Sequence, residues 1–246
     1  MRKHLIRFSF LSFVLVLISC KSYHHLVSTD TQYIAIEKQQ KDNDIENFIV
    51  PYREKIKSVS EEVIGVATKS LILGKPESLL GNYISDVLLE EAQRYSKNKV
   101  DGVIINQGSL RIPELPEGNV TLGKLFELMP FENRVVTVEM DGNTLQKFIA
   151  KTWETGGWPI SKTINVKILN NKIDKILINK QLLDKNQTYF IATSDYIGNG
   201  GDKCDFLIPC KKTDLKILVR DVVIDHMKNH SPFSSEIDGR YLITNQ

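Results

Sequence analysis

Cysteine and histidine are both scarce in this chain, and neither sign of charge is in excess. Three cysteines among 246 residues are too few for a disulfide-knit scaffold. Lys and Arg number 32 against 30 Asp and Glu, for a net charge of +2. That near-neutrality argues against a nucleic-acid polymer as partner, because phosphate backbones need a basic stripe. The most apolar stretch, Phe8 to Ile18, falls short of the about 20 residues that span a bilayer. HExxH, GxSxG, a Walker loop and CxxC are all absent, which removes the usual zinc-protease, hydrolase, nucleotide-loop and redox signatures. DxH, GNHE and GHxH are absent too. A two-metal hydrolytic site needs several clustered His and Asp ligands, so none is expected in this chain, nor any cofactor of its own. What is present is ordinary: 41% hydrophobic and 25% charged residues, a composition that excludes a disordered chain or a coiled-coil rod.

The N-terminus reads as an address. Arg2, Lys3 and Arg7 precede the apolar run, which ends in Leu17-Ile18-Ser19-Cys20. A basic start, an apolar run and a small residue before cysteine resemble a bacterial lipoprotein signal. Residues 1–19 are therefore expected to be a signal peptide, and Cys20 the lipidated mature N-terminus. Acyl chains on Cys20 would tether the protein to a bacterial membrane, facing the periplasm or the cell surface, with about 0.8 kcal/mol per buried CH₂. Loss of the three leader cations takes the net charge from +2 to −1. Residues 20–30, polar and without periodicity, form a lipid-anchored spacer. Cys204 and Cys210 remain, and could be a disulfide or two free thiols.

Residues 31–246 carry no linker and no repeat, and read as one domain. Tyr33, Ile34 and Ile36 suggest a short strand. Ile45, Phe48, Ile49, Tyr52 and Ile56 recur at helical spacing. Val63–Ala67 reads as a strand. Ser78 is placed to cap a helix running to about Lys97. Asp101–Asn106 is a short buried strand, Thr121–Met129 a helix stopped by Pro130, Arg134–Met140 an alternating strand, and Asn143–Thr152 a helix. Strands near 163–169 and 173–178 flank Asn170-Asn171, a hairpin signal. Tyr189–Ser194 is a strand, Leu215–Met227 a final helix and Tyr241–Thr244 a last strand. Irregular alternation with hairpins predicts the α+β class, with a mixed sheet and packed helices. His226 and His230 lie four apart on the last helix. They read as a solvated helix end complementing the dipole, with a metal pair as the alternative.

Three polar or glycine-bearing loops follow strands, a common place for ligand sites. They are Asn106–Arg111, Met129–Asn133 and Ser194–Asp202. Phe131 and Tyr196 offer flat faces for a base, Asp202 can accept from vicinal hydroxyls, and Arg111 can fork onto phosphate. Gly200 and Gly201 permit close backbone approach. Each residue also has a plainer reading: Phe131 and Tyr196 in a core or at its rim, Asp202 capping the Gly-Gly turn, and Arg111 in a surface ion pair.

Taken together and in order, the loops resemble the C-terminal domain of the 5'-nucleotidase/UDP-sugar hydrolase family. The family-like stretches are Glu77 through Leu89, Asn106 through Arg111, Pro130-Phe131-Glu132-Asn133, and Asp195 through Asp202. The likeness extends over about residues 60–210. It implies that Phe131 and Tyr196 sandwich a base, Asp202 binds ribose hydroxyls and Asn106 touches the base. Asn133 would shape the base pocket, and Arg111 would lie on the phosphate side. It also implies that hydrolysis belongs to a separate metallophosphoesterase unit carrying divalent metals. The expected ligand is a nucleotide or nucleoside, and the expected protein partner that metallophosphoesterase. The rivals are a non-enzymatic nucleoside-binding lipoprotein and a structural surface lipoprotein. The chain departs from the family pattern at Gln107, where a glycine is usual, and at Lys203-Cys204, where a glycine and an aromatic are.

Overall fold

The structure, a computed structural model, describes residues 42–244. The expected signal peptide, lipidated Cys20 and spacer, and the strand expected at Tyr33–Ile36, lie outside the described residues. Two units divide at Glu46 and Asn47. Of the described residues, Asp42 and the first turn of helix α1 (Asn43–Ser60) belong to the first unit, where Asp42 Oδ1 accepts from the Asp44 backbone N–H at 2.9 Å. Among the described residues no helix is long and apolar enough to cross a membrane.

The second unit is built on a four-stranded sheet of β3 (Gly102–Val103), β6 (Arg134–Asp141), β10 (Thr188–Ser194) and β11 (Lys211–Leu218). Their order across the sheet is β11-β6-β10-β3. β10 runs parallel to β3, and β6 runs antiparallel to both β10 and β11. Successive side chains of a strand point to opposite faces, and here they enter two different cores. Val103, Ile105, Val135 and Ala192 pack into the first; Ile104, Val136, Val138 and Ile191 pack into the second.

Helices α2 (Leu79–Tyr95), α3 (Leu122–Leu128) and α6 (Val219–Asn229) complete the first core through Leu80, Ile84, Leu125, Val223 and Met227. The second core closes on helix α4 (Gly142–Glu154), through Leu145, Phe148 and Ile149, and on a second sheet. A single helical turn, α5 (Asp195–Gly198), follows β10 directly. The second sheet comprises β7 (Ile164–Leu169), β8 (Lys172–Ile178), β9 (Gln181–Leu182) and β12 (Tyr241–Thr244), in the order β12-β7-β8-β9. Two antiparallel pairs complete the unit: β1 (Val63–Ala67) with β5 (Gly118–Thr121), and β2 (Leu71–Ile72) with β4 (Glu114–Leu115). The α+β class with mixed sheets is as expected.

Local signals explain much of this. Ser78 Oγ accepts from the Gly81 N–H at 3.1 Å and caps α2. Asp141 does the same for α4, accepting from the Thr144 N–H at 2.8 Å. Asn170 and Asn171 both take positive φ, 50° and 61°, as a tight hairpin turn requires.

The structure also departs from expectation. Leu215–Leu218 belong to β11, and the last helix starts only at Val219. Residues 211–218 pair with β6, although Lys216, at φ 63°, breaks the register between Asp214 and Leu218. Of Asp101–Asn106 only Gly102–Val103 is regular strand, because Ile104 bridges away to Ile160. Cys204 and Cys210 are both free thiols, and burial lifts the Cys204 thiol to about 11.

Candidate functional site

The topology brings the three loops to one edge. β3 and β10 are parallel, so their C-terminal ends lie together. β6 is antiparallel to β10, with Val135 opposite Ser194, so the loop that precedes β6 arrives at the same edge. There a cavity of about 340 Å³ is lined by Asn106, Gly108, Ser109, Arg111, Phe131, Asn133, Tyr196 and Asp202. All six residues singled out in the sequence line it. Gly108 and Ser109 were not among the six; they belong to the short 3₁₀ turn Gln107–Ser109 that follows Asn106.

Phe131 and Tyr196 are each 47% exposed, so neither is a core residue. Asp195 ties their loops together. Its Oδ1 accepts from the Arg134 N–H at 3.1 Å and from the Tyr196 N–H at 2.9 Å. Ser194 Oγ accepts from the Ile197 N–H at 3.2 Å and caps α5, the turn that carries Tyr196. Asp195 sits in a motif noted in the sequence, yet its bridging role depends on the β6–β10 pairing and has no local signal.

Asp202 is the polar centre. Asn106 Nδ2 donates to its Oδ2 at 2.7 Å, and Tyr196 Oη donates to its Oδ1 at 2.9 Å. Hydrogen bonding to that carboxylate raises the Tyr196 phenol above its ordinary pKa. The backbone makes this possible. Gly200 takes φ 98° and Asp202 φ 52°, a left-handed conformation that Gly, Asn and Asp tolerate best. A Cβ on Gly201 would lie 2.6 Å from the Tyr196 ring, so glycine is required for the ring to lie over the turn. Each carboxylate oxygen of Asp202 keeps a further acceptor position. Asn106 Oδ1 and Gln107 Oε1 are buried acceptors without a partner, which is costly unless a ligand or water supplies donors.

Arg111 also lines the cavity. Its guanidinium lies 6.0 Å from the Phe131 ring centroid, and among the described residues its one hydrogen bond is a long one, 3.4 Å, to the Gly108 carbonyl. No ion pair involves it among the described residues, so its fork is available to an anion. The cavity therefore offers aromatic faces, a carboxylate acceptor, the orphaned amide oxygen of Asn106 and a guanidinium. That set suits a planar heteroaromatic group joined to a diol and an anion.

The stretch Glu77–Asn82 works elsewhere. Glu77 Oε1 and Oε2 accept from the backbone N–H groups of Asp238 and Arg240 at 2.9 and 3.0 Å. Asn82 Nδ2 donates to Glu77 and to the Glu236 carbonyl. This motif fastens the C-terminal segment to α2, and does not line the cavity.

The family model described as "5'-nucleotidase, C-terminal domain" matches residues 63–208. The chain is similar to the trifunctional nucleotide phosphoesterase protein YfkN of Bacillus subtilis, with 23% identity over 241 residues, 87% of this chain and 16% of that protein. It is similar to the NAD 5'-nucleotidase of Haemophilus influenzae, with 24% identity over 199 residues, 68% of this chain and 32% of that protein. Among solved structures, the 5'-nucleotidase precursor from Thermus thermophilus superposes with a TM-score of 0.72 at 21% identity, covering 84% of this chain and 44% of that one. The Haemophilus influenzae NAD nucleotidase gives 0.59 at 20%, covering 83% and 42%. These likenesses are of fold. The chain spans less than half the length of each of these relatives.

Proposed function

The chain belongs to the 5'-nucleotidase C-terminal domain family, and from that membership we propose that it is the substrate-binding half of a 5'-nucleotidase-like hydrolase. Its ligand is a nucleotide or nucleoside, and its place is in nucleotide catabolism. The carrying observation is the meeting, in one cavity, of Phe131, Tyr196, Asp202, Asn106, Asn133 and Arg111. In this reading the aromatic rings hold the base, Asp202 accepts from the ribose hydroxyls, and Arg111 meets the phosphate. Phosphate-ester hydrolysis is carried out by a metallophosphoesterase on a separate chain, which holds two divalent metals and an activated water. Lipidation at Cys20 keeps the domain at a bacterial membrane, on its periplasmic or outer side. A nucleoside-binding lipoprotein without an enzymatic partner is the second reading, favoured by the sparse phosphate side: Arg111 is the only arginine in the cavity lining.

The test is phosphate release from AMP. The purified chain, with or without added Mn²⁺ or Zn²⁺, is expected to release none. With a metallophosphoesterase bearing DxH and GNHE motifs from the same genome, release is expected to appear. Robust EDTA-sensitive turnover by the isolated chain overturns the division of labour. Binding calorimetry with AMP, adenosine and a UDP-sugar checks the ligand class separately. Phe131→Ala is expected to weaken nucleoside binding by about 1–3 kcal/mol, the value of one base–aromatic stack. Because the ring is half exposed, the melting temperature should barely move.

A further inference from the structure

On the helical face of the main sheet, α2 and α6 lie side by side over the first core, and three ligating side chains meet between them. Glu90 comes from α2, His226 from the last turn of α6, and His230 from the residue that ends it. One ligand atom from each lies within 4.8 Å of the other two. The imidazoles stack with centroids 4.1 Å apart, as side chains at i and i+4 of a helix do.

This is not the solvated helix end that the sequence suggests. His226 is 9% exposed, and its Nδ1 is buried without a hydrogen bond. The nearest carboxylate to that nitrogen is Glu91 Oε1, at 3.7 Å. Glu91 is itself buried and held by Arg94 at 2.9 Å. A ring nitrogen facing a buried carboxylate at 3.7 Å is one short movement from the outer half of the carboxylate–histidine–metal arrangement, in which the N–H donates to the carboxylate and the other nitrogen is left for the metal. His230 is oriented in the same sense. Its Nδ1 lies 3.1 Å from the His226 carbonyl oxygen. An N–H there donates to the carbonyl, and Nε2 keeps the lone pair.

We propose that Glu90, His226 and His230 form a binding site for a divalent cation of the zinc class, tying α2 to the C-terminal end of α6. Two imidazoles and one carboxylate suit Zn²⁺ and its neighbours, whereas Mg²⁺ and Ca²⁺ prefer oxygen throughout. Metal–ligand bonds of about 2.1 Å place tetrahedral ligands about 3.4 Å apart, so atoms spread over as much as 4.8 Å contract on binding. The outer two ligands can supply that movement. Glu90 and His230 are exposed, and His230 has left the helix at φ −126° and ψ 41°. Buried His226 is the fixed point. Three protein ligands leave a fourth position for water, and a cavity of about 250 Å³ lined by Tyr83, Glu90, His226 and Glu236 adjoins it. The proposal is independent of the nucleotide reading, which concerns a different cavity.

The experiment uses the full chain, stripped with EDTA and titrated with Zn²⁺, Co²⁺ or Mg²⁺ by calorimetry, with thermal unfolding in parallel. One equivalent of Zn²⁺ is expected to bind saturably and raise the melting temperature, and Mg²⁺ to do neither. Co²⁺ is expected to give the visible absorption of a low-coordinate site. Glu90→Gln and His230→Ala change exposed side chains and leave the core intact. Each is expected to lower zinc affinity at least about tenfold, as loss of even an outer-sphere partner does, and His230→Ala to abolish the cobalt band. No saturable zinc binding to the wild type overturns the site. So does zinc affinity unchanged in both variants, since the metal would then sit on the thiols or on the histidines near the N-terminus.

Discussion

Asp202→Asn is expected to weaken adenosine and AMP binding alike, by about 3 kcal/mol, or roughly a hundredfold. Each hydrogen bond to a charged acceptor is worth about 1.5–3 kcal/mol, and a tenfold change in affinity corresponds to about 1.4 kcal/mol. A diol on Asp202 makes two such bonds. Asparagine removes the charge from both and turns one acceptor into a donor. That donor would also face either Asn106 Nδ2 or Tyr196 Oη, which now donate to the carboxylate at 2.7 and 2.9 Å. The substitution is chosen because asparagine accepts the left-handed backbone, φ 52°, found at this position. Binding loss is therefore separable from loop collapse. Arg111→Ala is the contrasting variant. It should weaken AMP, leave adenosine unchanged, and flatten the salt dependence of AMP binding, since an exposed ion pair is screened within about 10 Å at 0.1 M salt. The decisive ligand is 2',3'-dideoxyadenosine: if the wild type binds it as tightly as adenosine, Asp202 is not a ribose acceptor.

The lining of the candidate cavity was legible residue by residue, and the strands around it less so. Phe131, Tyr196 and Asp202 stand in loops whose polar and glycine content is a local signal. Their convergence follows from one topological fact, the β10–β3 parallel and β10–β6 antiparallel pairing. The positioning groups left weaker traces. Asp195 bridges two loops only because Arg134 and Tyr196 arrive from paired strands. The extra strands β2, β4, β5 and β9 are two to four residues long, too short for periodicity to register. Leu215 stands four residues before Val219, which suits one helix face, whereas Leu215 and Ile217 share a face only in a strand; pairing with β6 decided for the strand. The burial of His226 is likewise a tertiary fact, because nothing near it in the sequence announces Tyr83 and Glu91 beside the ring. Local patterns report what a segment prefers, and long-range neighbours determine what each polar group meets.

Arg240 is the strongest case of that kind, and it carries the largest expected effect on stability. Its immediate neighbours, Asp238-Gly239, look like an ordinary surface turn, yet the side chain is 2% exposed. Its guanidinium donates to Asp238 and Asp86 at 2.9 and 2.7 Å, to the Ile160 carbonyl at 2.6 Å and to Ser85 Oγ at 3.1 Å. It thereby joins α2, the Pro159–Ser161 segment and the entry to β12. Removing one partner of a buried ion pair costs about 3–5 kcal/mol. Asp86 and Asp238 keep side-chain exposures of 25% and 43%, so water can partly rescue them. Arg240→Ala should therefore fall at the lower end, near about 3 kcal/mol, and lower the melting temperature by about 6–12 °C for a domain of this size. Acid titration gives an independent check. Partial burial alone would raise the Asp238 carboxyl; its hydrogen bond to Arg240 and the charge of that guanidinium outweigh burial and hold it below the usual carboxylate range. A carboxylate with a depressed folded pKa stabilises the fold above its unfolded value of about 4, and that contribution is lost as pH falls through the folded value. Wild-type stability should accordingly decline below about pH 4, and the decline should be shallower in Arg240→Ala. Equal melting temperatures at pH 7 would show that the buried guanidinium contributes no net stability, and parallel acid limbs that it contributes packing alone.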